Sequence, residues 1–99
     1  MSPRVAMLAH STNPRGGVVH ALCLSEALTA LGAETVLHAP DATGAGFFRA
    51  ASCATRAFRV TPAPPGLADM VAARIADYAA WFRRPENRGF DLYHAHDGL

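Results

Sequence analysis

The sequence is short of net charge, cysteine, long apolar runs and glycine fingerprints, and each shortage removes a class of function. Nine basic and eight acidic residues leave a formal charge of +1, so no bulk field draws the chain to nucleic acid or to an anionic membrane. The cations between Arg49 and Arg84 are all arginine and are dispersed, as on a solvated helix face. The apolar stretch Val5 to Ala9 is too short for a signal peptide's apolar region or for a membrane span. No integral membrane segment is expected. The cysteines, Cys23 and Cys53, have no CxxC spacing and no disulfide framework; a reduced, cytoplasmic setting is the default. Neither GxGxxG nor GxxxxGK[ST] occurs, so both the dinucleotide fingerprint and the triphosphatase loop are missing.

What is present is alternation. The chain has 99 residues, 51% of them apolar and 17% charged, which suits one small globular domain with a core. Arg4 to Ala9 reads as a parallel strand buried on both faces. His10 to Gly17 is dense in turn formers. A helix is expected from Gly17 to Leu31, with Ala21, Leu24, Leu28 and Leu31 on its buried side and Ser25, Glu26 and Thr29 opposite. Gly32 sits where a helix C-terminal glycine belongs. Thr35 to Ala39 is a second strand, closed by Pro40 and completing a β-α-β unit. Asp41 to Ser52 reads as a loop with an anchored turn at Phe47-Phe48, and Phe58 to Val60 as a third strand. A long helix follows from Leu67 to Arg83, with Leu67, Val71, Ile75, Tyr78 and Phe82 on one stripe. Pro85 to Gly89 breaks it, and Phe90 to Asp97 holds a fourth strand and the start of its loop. Such an order defines an α/β, Rossmann-like fold: a mostly parallel sheet with flanking helices.

In an open parallel sheet ligands collect beyond the C-terminal strand ends, where strand order reverses. His10 to Gly17 and His94 to Asp97 both fall at such ends. Gly16-Gly17, opening a helix, would let backbone N–H groups approach a phosphate; equally, the pair would make a tight strand-to-helix turn. His94 and His96 alternate on a strand and could share a metal ion. Two metallohydrolase patterns fit them poorly. HxHxDH needs its acid where Gly98 stands, and the amidohydrolase HxH belongs to a first barrel strand. The other accounts are polar recognition of a sugar-like ligand, or histidines satisfied by backbone with Asp97 capping a helix. His10 could line the same cleft, whereas His20 and His38 read as surface or core-edge residues. Asp41 stands where a Rossmann fold holds a ribose. Tyr78, Trp81 and Phe82 have the spacing of a packed face, and Cys23 has no visible partner base.

Taken together, "RVAMLAHSTNPRGGVVHALCLSEALTALGAETVLHAP" is similar to the opening of retaining glycosyltransferases of the two-Rossmann-domain, GT-B type, in the large bacterial family four. "DLYHAHDGL" resembles the strand of that family bearing H-x-H-D. The resemblance implies transfer of a sugar from a nucleotide-diphosphate donor to an acceptor with retained configuration, without a cofactor or metal. It puts Gly16 and Gly17 in the loop facing the cleft, with the donor diphosphate and the acceptor nearby, and His96 and Asp97 on the acceptor side, where His10, by its place at the end of the first strand, is also expected. No catalytic residue is assigned.

The family also implies further strands, an Arg/Lys pair for the diphosphate and an E-x7-E segment in a second domain. These are not among the 99 residues. The expectation is an acceptor-side, N-terminal domain in truncated form (residues 1–99) without the donor-binding domain, inactive alone and exposed to self-association. A small oligomeric α/β binding module is the alternative of another class, and a metal-dependent hydrolase using His94 and His96 is the third.

Overall fold

The computed structural model describes residues 3–60 and 64–96. Its elements run β1 (Arg4–Leu8), α1 (Gly16–Ala30), β2 (Glu34–Asp41), β3 (Ala54–Arg59), α2 (Leu67–Arg83), a 3-10 turn (Pro85–Asn87) and β4 (Leu92–Ala95). The strands form one four-stranded sheet in the order β3-β2-β1-β4, and every pairing is parallel. This is the Rossmann-like α/β arrangement expected. β1 is interior, joined to β2 through Ala6↔Val36 and Met7↔Leu37 and to β4 through Ala6↔Tyr93 and Met7↔His94. A reciprocal staple at its start sets the second register. The Arg4 amide donates to Asp91 Oδ2 at 2.8 Å, and the Asp91 amide donates to the Arg4 carbonyl at 2.7 Å.

Strand alternation divides the core between the two helices. On one face Met7, Ala9, Leu37 and Ala39 meet Val18, Ala21 and Leu22 of α1. On the other, Ala6 and Val36 meet Phe90, with Leu8 and Phe82 packed against them. The buried face of α1 therefore differs from the expected one. Val18, Ala21, Leu22 and Ser25 are its buried residues, a set at i, i+3, i+4 and i+7. Leu24 and Leu28 flank that contact, and Leu31 is 84% exposed. Leucines nearly encircle this helix, so leucine spacing did not select a face. Ser25 accepts burial because its hydroxyl donates to the Ala21 carbonyl at 2.7 Å. Gly32, at φ 100°, closes the helix as expected. Its amide donates to the Thr29 carbonyl, and that of Ala33 to the Leu28 carbonyl, both at 3.0 Å.

Both inner boundaries of the sheet also move. β2 continues through Pro40 to Asp41 instead of ending before the proline. The Ala9 amide donates to the His38 carbonyl at 2.9 Å, so His38 and, two residues on, Pro40 point their backbone groups toward β1. Pairing with β1 stops at His38, and the N–H that proline lacks has no strand to meet. β3 starts at Ala54, ahead of the expected Phe58. It is an edge strand whose only buried position is Phe58, so its first half has little apolar pattern to reveal it.

α2 has the expected bounds but a different relation to the sheet. None of its residues is fully buried; Leu67 and Ile75 of the expected stripe are 68% and 64% exposed. Contact is made by the C-terminal half. Trp81 stacks on Phe58 with ring centroids 4.8 Å apart, and Phe82 packs into the sheet core. The Tyr78 hydroxyl donates to the Ala9 carbonyl. Arg56 of β3 donates to the Glu86 carbonyl at 2.9 Å and to Asn87 Oδ1, tying the turn after α2 to the sheet edge.

His38 corrects the expectation of a surface or core-edge place: it is 0% exposed. Trp81 Nε1 donates to His38 Nδ1 at 3.0 Å, so the ring is neutral with its proton on Nε2, which has no partner among the described residues. Burial, aided by the nearby Arg56 charge, pushes the imidazole down to about 4. In the unfolded chain it titrates near ~6.5. Unfolding takes up a proton between those values, so stability should fall as pH falls from about 6.5 to about 4, by at most ~3 kcal/mol from this group. Urea melts across that range would show the slope. His38→Gln, which retains an acceptor for Trp81 and does not titrate, should flatten it.

Candidate functional site

Sheet order reverses at β1, since β2 and β3 lie on one side and β4 on the other. The crevice of such a fold opens above the carboxyl ends of β1 and β4. Three segments converge there: the loop after β1, the first turn of α1 and the end of β4. The loop is held in place. Its Thr12 is buried, the Thr12 carbonyl accepts from the Phe48 amide at 3.1 Å, and the Arg15 amide donates to the Asn13 carbonyl at 2.8 Å. The Asn13 amide donates to Ser11 Oγ at 3.0 Å.

Gly16 and Gly17 are the first residues of α1. Arg15 precedes them in extended conformation, its side chain caps nothing, and the first turn carries no acid. The opening N–H groups and the positive end of the helix dipole are thus uncompensated by the helix itself. A Cβ placed on Gly16 would meet nothing within 4 Å. Neither packing nor an unusual φ requires glycine at that position.

His94 and His96 share a face, as strand alternation requires, and it is the face of α1. His94 pairs with Met7, itself packed against α1. The His96 amide donates to the Leu8 carbonyl at 3.0 Å, which carries the pairing one residue past β4. The His96 ring meets His20 of α1 edge-on at 4.6 Å, and His94 lies 5.9 Å from it. His96 Nδ1 is buried with no hydrogen-bond partner among the described residues. His20, expected at the surface, is exposed, yet it supports His96; only the chain crossing from α1 to β4 brings the two together. Among the described residues no three His, Cys, Asp or Glu side chains are grouped to hold a metal ion. Asp97 lies outside the described residues.

His10 stands on the opposite face. It lines a cleft of about 570 Å³ with Ser11, Asn13 and Arg15 on one wall and Met70, Val71, Arg74, Ile75 and Tyr78 of α2 on the other. His10 and His96 therefore flank the end of β1 from opposite sides and do not share a wall. The sequence marked the polar wall as turn-forming. It gave no sign of the α2 wall, whose Val71, Ile75 and Tyr78 read as core.

Asp41 does not stand ready for a ribose. Its carboxylate accepts from the Gly46 amide at 2.8 Å, the Gly44 amide at 3.0 Å, and the Thr43 amide and hydroxyl at 3.2 Å each. Burial works against the charged form, but these hydrogen bonds prevail and hold the carboxyl below its ordinary value. On the far side of the same loop, Glu26 grips Arg49 at 2.7 Å and the Ser52 amide at 2.9 Å. Arg49 and then Ser52 lower its carboxyl to about 2. Cys23 is exposed, with the Arg49 guanidinium 3.8 Å from its sulfur.

An open, all-parallel sheet with a helix N-terminus and histidines at its switch point defines an α/β domain of Rossmann-like type. The model of the glycosyl transferase 4-like domain matches residues 15–99, and the chain belongs to that family. No curated protein and no solved structure matches it. Among the described residues, no helix is long and apolar enough to cross a membrane.

Asp41 separates a structural role from a binding one. Asp41→Asn should cost about 1 kcal/mol or more through lost charge-assisted hydrogen bonds, seen as a lower thermal midpoint. It should leave any response to nucleotide unchanged; a ribose ligand at this position would lose its binding together with the charge.

Proposed function

We propose that this glycosyltransferase domain is the acceptor-side, N-terminal half of a GT-B enzyme of bacterial type, moving a sugar from a nucleotide diphosphate with retained configuration. The N-terminus of α1 carries the reading. It opens on the switch-point crevice, has no capping side chain or first-turn acid, and begins with a glycine that the fold itself does not require. A diphosphate leaving group is the charge that such an end stabilises, and backbone N–H groups fixed in advance do so without reorganising.

Gly16 and Gly17 face the departing diphosphate in this reading. His96, set edge-on against His20 and with an Nδ1 that has no hydrogen-bond partner among the described residues, contacts sugar or acceptor hydroxyls. His10 serves the acceptor from the α2 side, and Asp97 joins the acceptor side by the family resemblance. The nucleotide itself is held by a second domain, because Asp41, the acid placed for a ribose, is consumed by its own loop. The setting is cytoplasmic, where free Cys23 and Cys53 stay reduced. The exposed Leu92 and Tyr93 on edge strand β4 favour one further property, self-association of this domain when it stands alone. Light scattering across a concentration series measures it.

Backbone amide NMR with a panel of nucleotide-sugars tests the site. The expected result is weak binding, with a Kd of about 1 mM or more, and shifts confined to Arg15–Val19 and His94–His96. Micromolar binding would overturn the division between domains, and shifts at the opposite sheet edge would overturn the site. Gly16→Ala adds a good helix former in open space, so it should leave the fold intact or stabilise it by up to ~1 kcal/mol while weakening the donor response.

A further inference from the structure

We infer that the cleft between the β1–α1 loop and α2 takes the apolar portion of an anionic amphiphile, a single molecule with an alkyl or aryl body and a phosphate or carboxylate head. This names the acceptor's class and rests on the reading above.

The cleft has two chemically distinct walls. Met70, Val71 and Ile75 present aliphatic surface, and Tyr78 closes the floor with its hydroxyl donated to the Ala9 carbonyl. A bare sugar would leave its hydroxyls unpaired against that wall, and unpaired buried hydroxyls weaken binding. The opposite wall, Ser11, Asn13 and Arg15, is polar.

Charge complementarity selects the head group. Arg74 is paired with Asp77 at 3.2 Å and contributes little net field. The Arg15 guanidinium has no hydrogen-bond or ion-pair partner among the described residues, and it stands at the cleft wall beside the N-terminus of α1. An anionic head there lies next to the place proposed for the donor diphosphate, while the apolar body extends along α2. About 570 Å³ is ample for one such molecule. The site is a cleft between two segments, a shape that admits a single chain and not the surface of a bilayer.

Decyl phosphate below its micellar concentration is the probe, with ethyl phosphate, inorganic phosphate and decyl glucoside as comparisons, titrated into the full chain by calorimetry. Decyl phosphate should bind at least about tenfold more tightly than ethyl phosphate, because the added methylenes leave water. Ile75→Asp should abolish that difference, and Arg15→Ala should weaken decyl phosphate but not decyl glucoside. Ile75 and Arg15 are exposed, so unchanged circular dichroism and thermal midpoint would show that the variants fold. Should Ile75→Asp fail to fold, Val71→Ser gives the same comparison. Equal affinity for the long and short phosphates overturns the inference. So does binding to phosphatidylglycerol vesicles with none to the monomeric amphiphile. If decyl phosphate binds as expected but nucleotide-sugars shift no amide near Gly16, the cleft stands as an amphiphile site and the donor site proposed at Gly16 falls instead.

Discussion

The parallel pairing of β1 along both of its edges is the constraint on which the remaining structure depends. Both of its ladders end at Leu8, opposite His38 of β2 and Ala95 of β4. Its chain then turns out of the sheet at His10, at the place where the order of strands reverses. That turn feeds the N-terminus of α1. The Arg4–Asp91 staple secures the arrangement from the other end, adding two hydrogen bonds ahead of the short ladder between β4 and β1.

The second helix shows how uneven tethering makes a cavity. Its C-terminal half is fixed through Trp81 to His38, Tyr78 to Ala9 and Asn87 to the Trp81 carbonyl. Each of these contacts joins a polar atom to a buried counterpart, which makes it specific as well as adhesive. Nearer its N-terminal end, Leu67 and Ile75 are largely exposed, and the cleft lies between this part of the helix and the loop after β1. His38 has a cost in this arrangement, since an unpaired Nε2 in the interior is unfavourable. The same ring is the acceptor that fixes Trp81, so the cost accompanies the anchoring of α2.

Strands and helices were legible where local chemistry dominates. The apolar run of β1, the Gly32 stop after α1 and the bounds of α2 follow from periodicity and capping. The positions of Gly16, Gly17 and His96 at strand ends follow from chain order alone. Facing was less legible. In α1 the buried face is chosen by the shape of the sheet, and it passes over Leu31 for a serine that bonds its own backbone. In β2 a proline is admitted because its missing N–H faces an empty edge, a fact about β1 that no local window contains. Likewise, His10 and His96 look equivalent in sequence, each ending a strand. The parity of the residues before them puts one on the α2 face and the other on the α1 face.

That separation bears on how the domain can work. Group transfer needs the leaving group and the acceptor to approach one reacting carbon from positions fixed in advance. Were every polar residue gathered in one wall, the two substrates would compete for the same donors. Here the end of β1 stands between two compartments. The α1 side offers uncapped backbone N–H groups and the supported His96, a setting for phosphate charge. The α2 side offers a partly apolar cleft with His10 at its rim. Arg15 lines the α2-side cleft and Gly16 opens α1 directly beside it, so in the proposed reading acceptor and leaving group meet at that junction.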